Sequence, residues 1–193
     1  WGGDQEGQSS VPADLGRVTA VDAGWQHSLA LRADGTVAAW GFNNRGQATI
    51  PANLDEVVAV SGGGEHSLAL KNDGTVVAWG SNGRSQTRVP DGLTGVVAIS
   101  AGFDYSLALK SDGTVVAWGD NIEVPENLPE VTSIAAGHSH AMALLANGTL
   151  VLWARSGSNL EDDGVGEVPV WLRVAQPVTP QLQSLQIVVQ ASD

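Results

Sequence analysis

His27, His66, Tyr105 and His140 each stand directly before a small residue, Ser28, Ser67, Ser106 or Ala141, and Asp22 lies five residues ahead of the first of them. Asp, His and Ser are the residue types of a hydrolytic triad, in which an acid orients a base and the base takes the serine proton. Such a base is needed once per active site. Here it recurs at a fixed spacing together with its serine, and no nucleophile elbow surrounds Ser28, Ser67 or Ser106. The rings are therefore expected to be structural, each supplying a hydrogen bond within or between repeats. His138-Ser139-His140 places two imidazoles on the same side of a strand, but no third metal ligand is evident. Glu161-Asp162-Asp163-Gly164 is rich in oxygen ligands, yet it lacks the alternating pattern of a calcium loop and reads as a solvated turn. No catalytic residue, metal or cofactor is expected, and the chain is not expected to be an enzyme.

The elements that carry these residues repeat. Trp1, Trp40, Trp79, Trp118 and Trp153 follow one another at steps of 39, 39, 39 and 35 residues, a period that belongs to solenoids and propellers. In each unit Ser67-Leu68-Ala69-Leu70-Lys71 alternates like a strand, Asn72-Asp73-Gly74 turns, and Thr75-Val76-Val77-Ala78-Trp79 returns, which is a β-hairpin. An apolar run precedes each hairpin, at 18–23, 57–62, 96–101 and 131–136, and is expected to be the innermost strand. Val11-Pro12, Ile50-Pro51, Val89-Pro90 and Val124-Pro125 favour an extended backbone and predict a short edge strand. Four short strands per unit predict an all-β fold, a β-propeller of four-stranded blades with about five repeat units. Both sides of the hairpin are apolar or small, as expected of blades covered on each face by a neighbour, with the tryptophans wedged between them.

A chain of 193 residues with 42% hydrophobic content supports one repeat domain with a substantial core. A net charge of −12, with Lys71 and Lys110 the only lysines, repels phosphate backbones and anionic membranes, so nucleic-acid binding is not expected. No apolar run reaches the roughly 20 residues of a membrane span. The absence of cysteine removes disulfides, thiolate nucleophiles and zinc-thiolate sites. An acidic, lysine-poor, Gly- and Trp-rich composition points to a secreted or cell-surface bacterial protein.

Residues 1–153 carry the repeats, and 154–193 form a degenerate terminal repeat or closing segment that keeps Val168-Pro169 and the alternation of Leu185, Ile187 and Val189. The fourth unit is shorter because Trp118-Gly119-Asp120-Asn121 runs straight into Ile122-Glu123-Val124-Pro125, without the arginine and glutamine of the earlier loops.

The pattern AGxxHSLALKxDGTVVAWGxNxxGQ resembles the repeats of the regulator of chromosome condensation family in its short bacterial form, over residues 1–153. Within that family the spacing and the Val-Pro landmark are most similar to the propeller-type β-lactamase inhibitory protein. The resemblance implies a ring of seven blades, about 270 residues at the period seen here, of which this chain supplies about five. Earlier repeats are expected before Trp1, and self-association through open blade faces is expected. The long insertions of the nuclear exchange factor of this family have no counterpart, so that function is not carried over.

Within the constant frame, the pairs that vary are Trp25-Gln26, Gly64-Glu65, Phe103-Asp104 and His138-Ser139, each directly after a repeat glycine. Variation there predicts exposed loops at one end of the propeller. Trp25, Gln26, Glu65, Phe103, Asp104 and His138 present large rings beside acids, a surface for a protein partner. The equivalent loops of the inhibitory protein carry aromatic contacts, which implies a β-lactamase as one candidate partner. Trp25 and Phe103 match that pattern; Gly64 and Glu65 depart from it. A surface glycan is the other candidate. A second variable loop, at 42–46 and 81–85, carries Arg45 and Arg84 and is expected on the outer or opposite surface.

Overall fold

The structure, a computed structural model, describes residues 3–154. The terminal segment at 155–193, with its acidic cluster and its proposed closing strand, lies outside the described residues. Twelve strands are described: β1 (Val18–Ala23), β2 (His27–Arg32), β3 (Val37–Gly41), β4 (Val57–Gly62), β5 (His66–Lys71), β6 (Val76–Gly80), β7 (Val96–Ala101), β8 (Tyr105–Lys110), β9 (Val115–Gly119), β10 (Val131–Ala136), β11 (His140–Leu145) and β12 (Leu150–Ala154). They form four antiparallel sheets of three strands, in orders β1-β2-β3, β4-β5-β6, β7-β8-β9 and β10-β11-β12.

The Asp-Gly pairs make the expected hairpins. Gly35 N–H donates to Arg32 O at 3.0 Å with φ at 80°, the left-handed step that closes a type I turn and bulge. The Asp34 carboxylate accepts Thr36 N–H at 3.0 Å and its hydroxyl at 2.7 Å, and these bonds hold its pKa below the ordinary range.

Alternation along the middle strand then builds the core. Leu68 and Leu70 face the following sheet, while Ala69 and Trp79 face the preceding one, so every interface sets leucines against alanine and tryptophan. Between the first two sheets Leu29, Leu31 and Val37 meet Ala69, Trp79 and the linker residue Leu54. Leu68, Leu70 and Val76 meet Ala108 and Trp118, and Leu107, Leu109 and Val115 meet Ala143 and Trp153. Burying each leucine contributes about 2 kcal/mol, and no sheet buries its faces alone. Trp79, Trp118 and Trp153 are buried as expected; Trp40 is half-buried.

The inner strands β1, β4, β7 and β10 each touch the next. Asp22 Oδ2 accepts Gly62 N–H at 3.0 Å, Ser61 Oγ accepts Ala101 N–H at 3.1 Å, and Ser100 Oγ accepts Ala136 N–H at 2.9 Å. One repeat position thus caps the open edge of the next inner strand.

One expectation is corrected. No fourth strand forms at the Val-Pro landmark in the described residues: proline has no N–H to give a ladder, and its carbonyl instead accepts from the residue three further on, Pro51 O from Leu54 N–H at 3.3 Å and Pro90 O from Leu93 N–H at 3.2 Å. At the four loop starts, the glycines at 24, 63, 102 and 137 lie outside the left-handed region. Their need is space, because a Cβ on Gly63 would stand 2.3 Å from His66 Cε1 and 2.5 Å from Gly102 O. Gly63→Ala should therefore lose about 1 to 3 kcal/mol of stability, whereas Gly83→Ala, with nothing within 4 Å of its Cβ, should stay within about 0.5 kcal/mol of wild type. Urea denaturation compares the two, and equal midpoints would show that the ring moves aside freely.

Candidate functional site

The recurrent rings are buried and serve the joints between sheets. His27 Nε2 lies 2.9 Å from Ser67 Oγ in the next sheet, and His66 Nε2 lies 3.0 Å from Ser106 Oγ. Ser67 donates its one proton to Gln47 O at 2.8 Å, and Ser106 donates to Gln86 O at 2.9 Å. The imidazoles must then donate from Nε2, leaving Nδ1 as an acceptor without a partner in either ring. This polarity is opposite to that of a base taking a serine proton. Asp22, the third residue type of a triad, is occupied with Ser61 and Gly62, and Ser28 donates to Gln8 O. Burial pushes both imidazoles down to about 4, with the Asp22 charge opposing the shift at His27 and the His27 charge adding to it at His66.

In the third sheet Tyr105 replaces the histidine. Its hydroxyl donates to the carbonyls of Gly137 and His140, and burial pushes its pKa up. The following sheet has Ala141 where the others have serine. Tyrosine extends past the missing hydroxyl to backbone.

Each inner strand joins its middle strand through three residues, Gly24-Trp25-Gln26 in the first sheet. Gly24 N–H bonds His27 O at 2.9 Å, so the loop is closed and its central residue projects outward. Trp25 is 62% exposed. Its ring meets Phe103 edge-to-face with centroids 5.4 Å apart, and Phe103 stacks on His138 at 4.2 Å. The structure thus brings together three of the six expected site residues, from the first, third and fourth sheets. In the second sheet Gly64 holds the equivalent position, and a Cβ there would meet Phe103 O at 2.6 Å and Phe103 Cδ2 at 2.9 Å. Its missing side chain makes room for Phe103 to reach Trp25. Together these residues line a shallow cleft of about 210 Å³ floored by alanine and glycine.

Gln26, Glu65 and Asp104 do not line this cleft. Their backbone carbonyls hold the start of the second variable loop, accepting Phe42 N–H at 2.8 Å, Ser81 N–H at 2.8 Å and Asp120 N–H at 3.0 Å. Glu65 pairs with Arg45 at 3.5 Å, Asp104 accepts Gln86 Nε2–H at 3.2 Å, and Arg84 pairs with Asp120 at 3.7 Å. The second loop therefore sits at the same end as the aromatic loops, which corrects its expected place on the outer or opposite surface. Antiparallel pairing forces this, since β3 ends where β2 begins, with Gly41 opposite His27. The imidazoles of His138 and His140 also part: one stacks on Phe103, while the other lies over Gly137, whose Cβ would stand 2.5 Å from its Cε1. Sequence reading missed Gly64 as a site residue and Gln47 and Gln86 as buried junctions; a gap among large residues and a glutamine recurring in the first three loops, Gln8, Gln47 and Gln86, were the available signals.

A family model for the regulator of chromosome condensation (RCC1) repeat matches residues 18–47, 57–86 and 96–122. The chain belongs to the RCC1 repeat family. Among solved structures it is similar to the yeast RCC1 protein Prp20 in its complex with Kap60, at 24% identity and a TM-score of 0.64 over 75% of this chain and 45% of that one. It is similar to Prp20p of Saccharomyces cerevisiae, studied for its binding to Gsp1p and histones, at 22% identity and a TM-score of 0.65 over 74% and 46%. The ectodomain of the Physcomitrella patens receptor kinase CR4 matches at 25% identity and a TM-score of 0.62 over 75% and 43%. The chain spans about half the length of these structures. Among curated proteins, no sequence matches it significantly.

The buried imidazoles of these RCC1 repeats make stability depend on pH. Their folded pKa of about 4 lies below the ordinary 6.5, so the unfolded chain binds the extra protons. Stability should be complete above about pH 6.5 and fall as pH drops toward 4, by on the order of 3 kcal/mol per ring. The double variant His66→Tyr with Ser106→Ala, which copies the Tyr105 and Ala141 arrangement, should roughly halve that slope in denaturation curves from pH 4 to 7. An unchanged slope would place the titration elsewhere.

Proposed function

We propose that the chain is a non-catalytic binding module, a set of blades from a seven-bladed RCC1-type ring, whose aromatic mouth engages a protein partner. The observation that carries this reading is the convergence of Trp25, Phe103 and His138 from three sheets onto one exposed cleft. Aromatic anchors at the centre of a surface supply much of the binding free energy of protein interfaces. The buried hydrogen-bonded frame beneath keeps the loops in place before binding, which lowers the entropic cost of association. Prp20, which shares the fold, was crystallised with Kap60 and studied for its binding to Gsp1p and histones, so at least one protein carrying this fold binds other proteins. A β-lactamase is one candidate partner and a surface glycan the alternative, in a secreted or cell-surface setting.

The test compares wild-type chain with the variant Trp25→Ala/Phe103→Ala as baits, followed by affinity measurement on each purified partner. A protein bound by wild type should lose at least about 30-fold in affinity to the double variant. A class A β-lactamase titrated with the chain reads that candidate directly through loss of substrate hydrolysis. Binding confined to a glycan array, or partners indifferent to the double variant, would overturn the reading.

A further inference from the structure

We propose that the aromatic mouth receives a basic side chain, an arginine or a lysine carried on a loop of the partner, with its cationic head against the face of Trp25. This rests on the protein-binding reading and names the chemistry of the partner. Three observations point to it. The Trp25 ring is largely exposed yet held in place, with Phe103 edge-to-face at an interplanar angle of 61° and His138 stacked behind Phe103. Tryptophan offers a cation the strongest aromatic face among the side chains.

The cleft is also the wrong shape and chemistry for the other occupants. At about 210 Å³ it is smaller than the roughly 300 to 1,000 Å³ of a small-molecule pocket, and it fits the end of one long side chain. Its lining is alanine, glycine and the three rings, without a carboxylate or amide side chain to bond sugar hydroxyls. The acids that could have done so, Glu65 and Asp104, are turned to Arg45 and Gln86.

Charge selects the sign of the occupant. Around this end stand the carboxylates of Glu65, Asp104, Asp120 and Asp22, the last bonded to the N–H of the cleft residue Gly62. Among the described residues, two guanidinium groups stand against these four, Arg45 and Arg84, each paired with an acid. The whole chain carries −12. A cationic loop is drawn in by this field, and an acidic one is repelled.

The probe is a library of disulfide-cyclised random peptides displayed on phage and selected on the full chain. Enriched peptides are expected to share an arginine or lysine, and replacing it by citrulline or norleucine should weaken binding roughly 3- to 30-fold. Trp25→Leu, which keeps an apolar side chain but removes the aromatic face, should cause a comparable loss while the melting temperature is unchanged. Binders that depend on Trp25 but lack a basic residue would overturn the cationic occupant and leave the protein-binding reading standing. Basic binders that Trp25→Leu does not weaken would overturn the placement. A selection that yields no peptide, with glycans bound through Trp25 instead, would overturn both.

Discussion

The carbonyl oxygen of Gln47 accepts two hydrogen bonds, from Ser67 Oγ at 2.8 Å and from Trp79 Nε1 at 2.9 Å, and the same serine receives His27 from the sheet before. Gln86 repeats the junction with Ser106, Trp118 and His66. One buried oxygen on the linker therefore joins the linker, two strands of the sheet it enters and the sheet it leaves. Gln47 and Gln86 are wholly buried, and each side chain also accepts a backbone N–H two residues back, from Arg45 at 3.0 Å and Arg84 at 2.8 Å. Leaving such a group unsatisfied costs about 1 to 3 kcal/mol. Sheet-to-sheet packing in this chain is thus specified by polar geometry as well as by the leucine-on-alanine contacts, which alone would tolerate sliding.

The repeat shows what happens when a member of this junction changes. Tyr105 and Ala141 change together: a hydroxyl vanishes from one sheet and reappears at the tip of a longer ring in its neighbour, and the buried bond is kept with backbone as acceptor. The trimmed fourth loop has no such compensation. It lacks the glutamine, and Trp153, buried like Trp79 and Trp118, has an indole N–H with no partner among the described residues. Gln47 Nε2 likewise has no partner among the described residues, whereas Gln86 Nε2 reaches Asp104; the longer Glu65 in the equivalent place turns to Arg45 instead.

Much of the scaffold was legible because each of its residues recurs. Period, hairpin, inner strand and wedged tryptophan are stated three or four times over, so a single ambiguous unit is read through the others. The Val-Pro landmark misled because extended backbone is necessary for a strand but not sufficient, and proline at that place spends its carbonyl on a local turn. That the glycines before the rings are needed for space could not be read, since steric contact with His66 or Tyr105 exists only after the middle strand folds back. Of the site, the tips of the loops could be read from their variation. Which neighbouring residue joins them could not, because in Phe103-Asp104 the ring turns to Trp25 and His138 while the adjacent carboxylate reaches Gln86.

That divergence explains why the aromatic residues are free to differ at all. Gly24, Gly63 and Gly102 are held under a ring, and His27, His66 and Tyr105 are held by the next sheet, so the residue directly after each glycine carries little of the frame. Its side chain answers only to its counterparts on other sheets and to whatever it meets outside. Trp25, Gly64, Phe103 and His138 then form a set in which one absence matters as much as three rings: with any side chain at 64, the Phe103 backbone and ring would have to shift, and the edge-to-face contact with Trp25 would shift with them. The cleft is accordingly a property of the combination, written onto a frame whose other positions are fixed by buried hydrogen bonds.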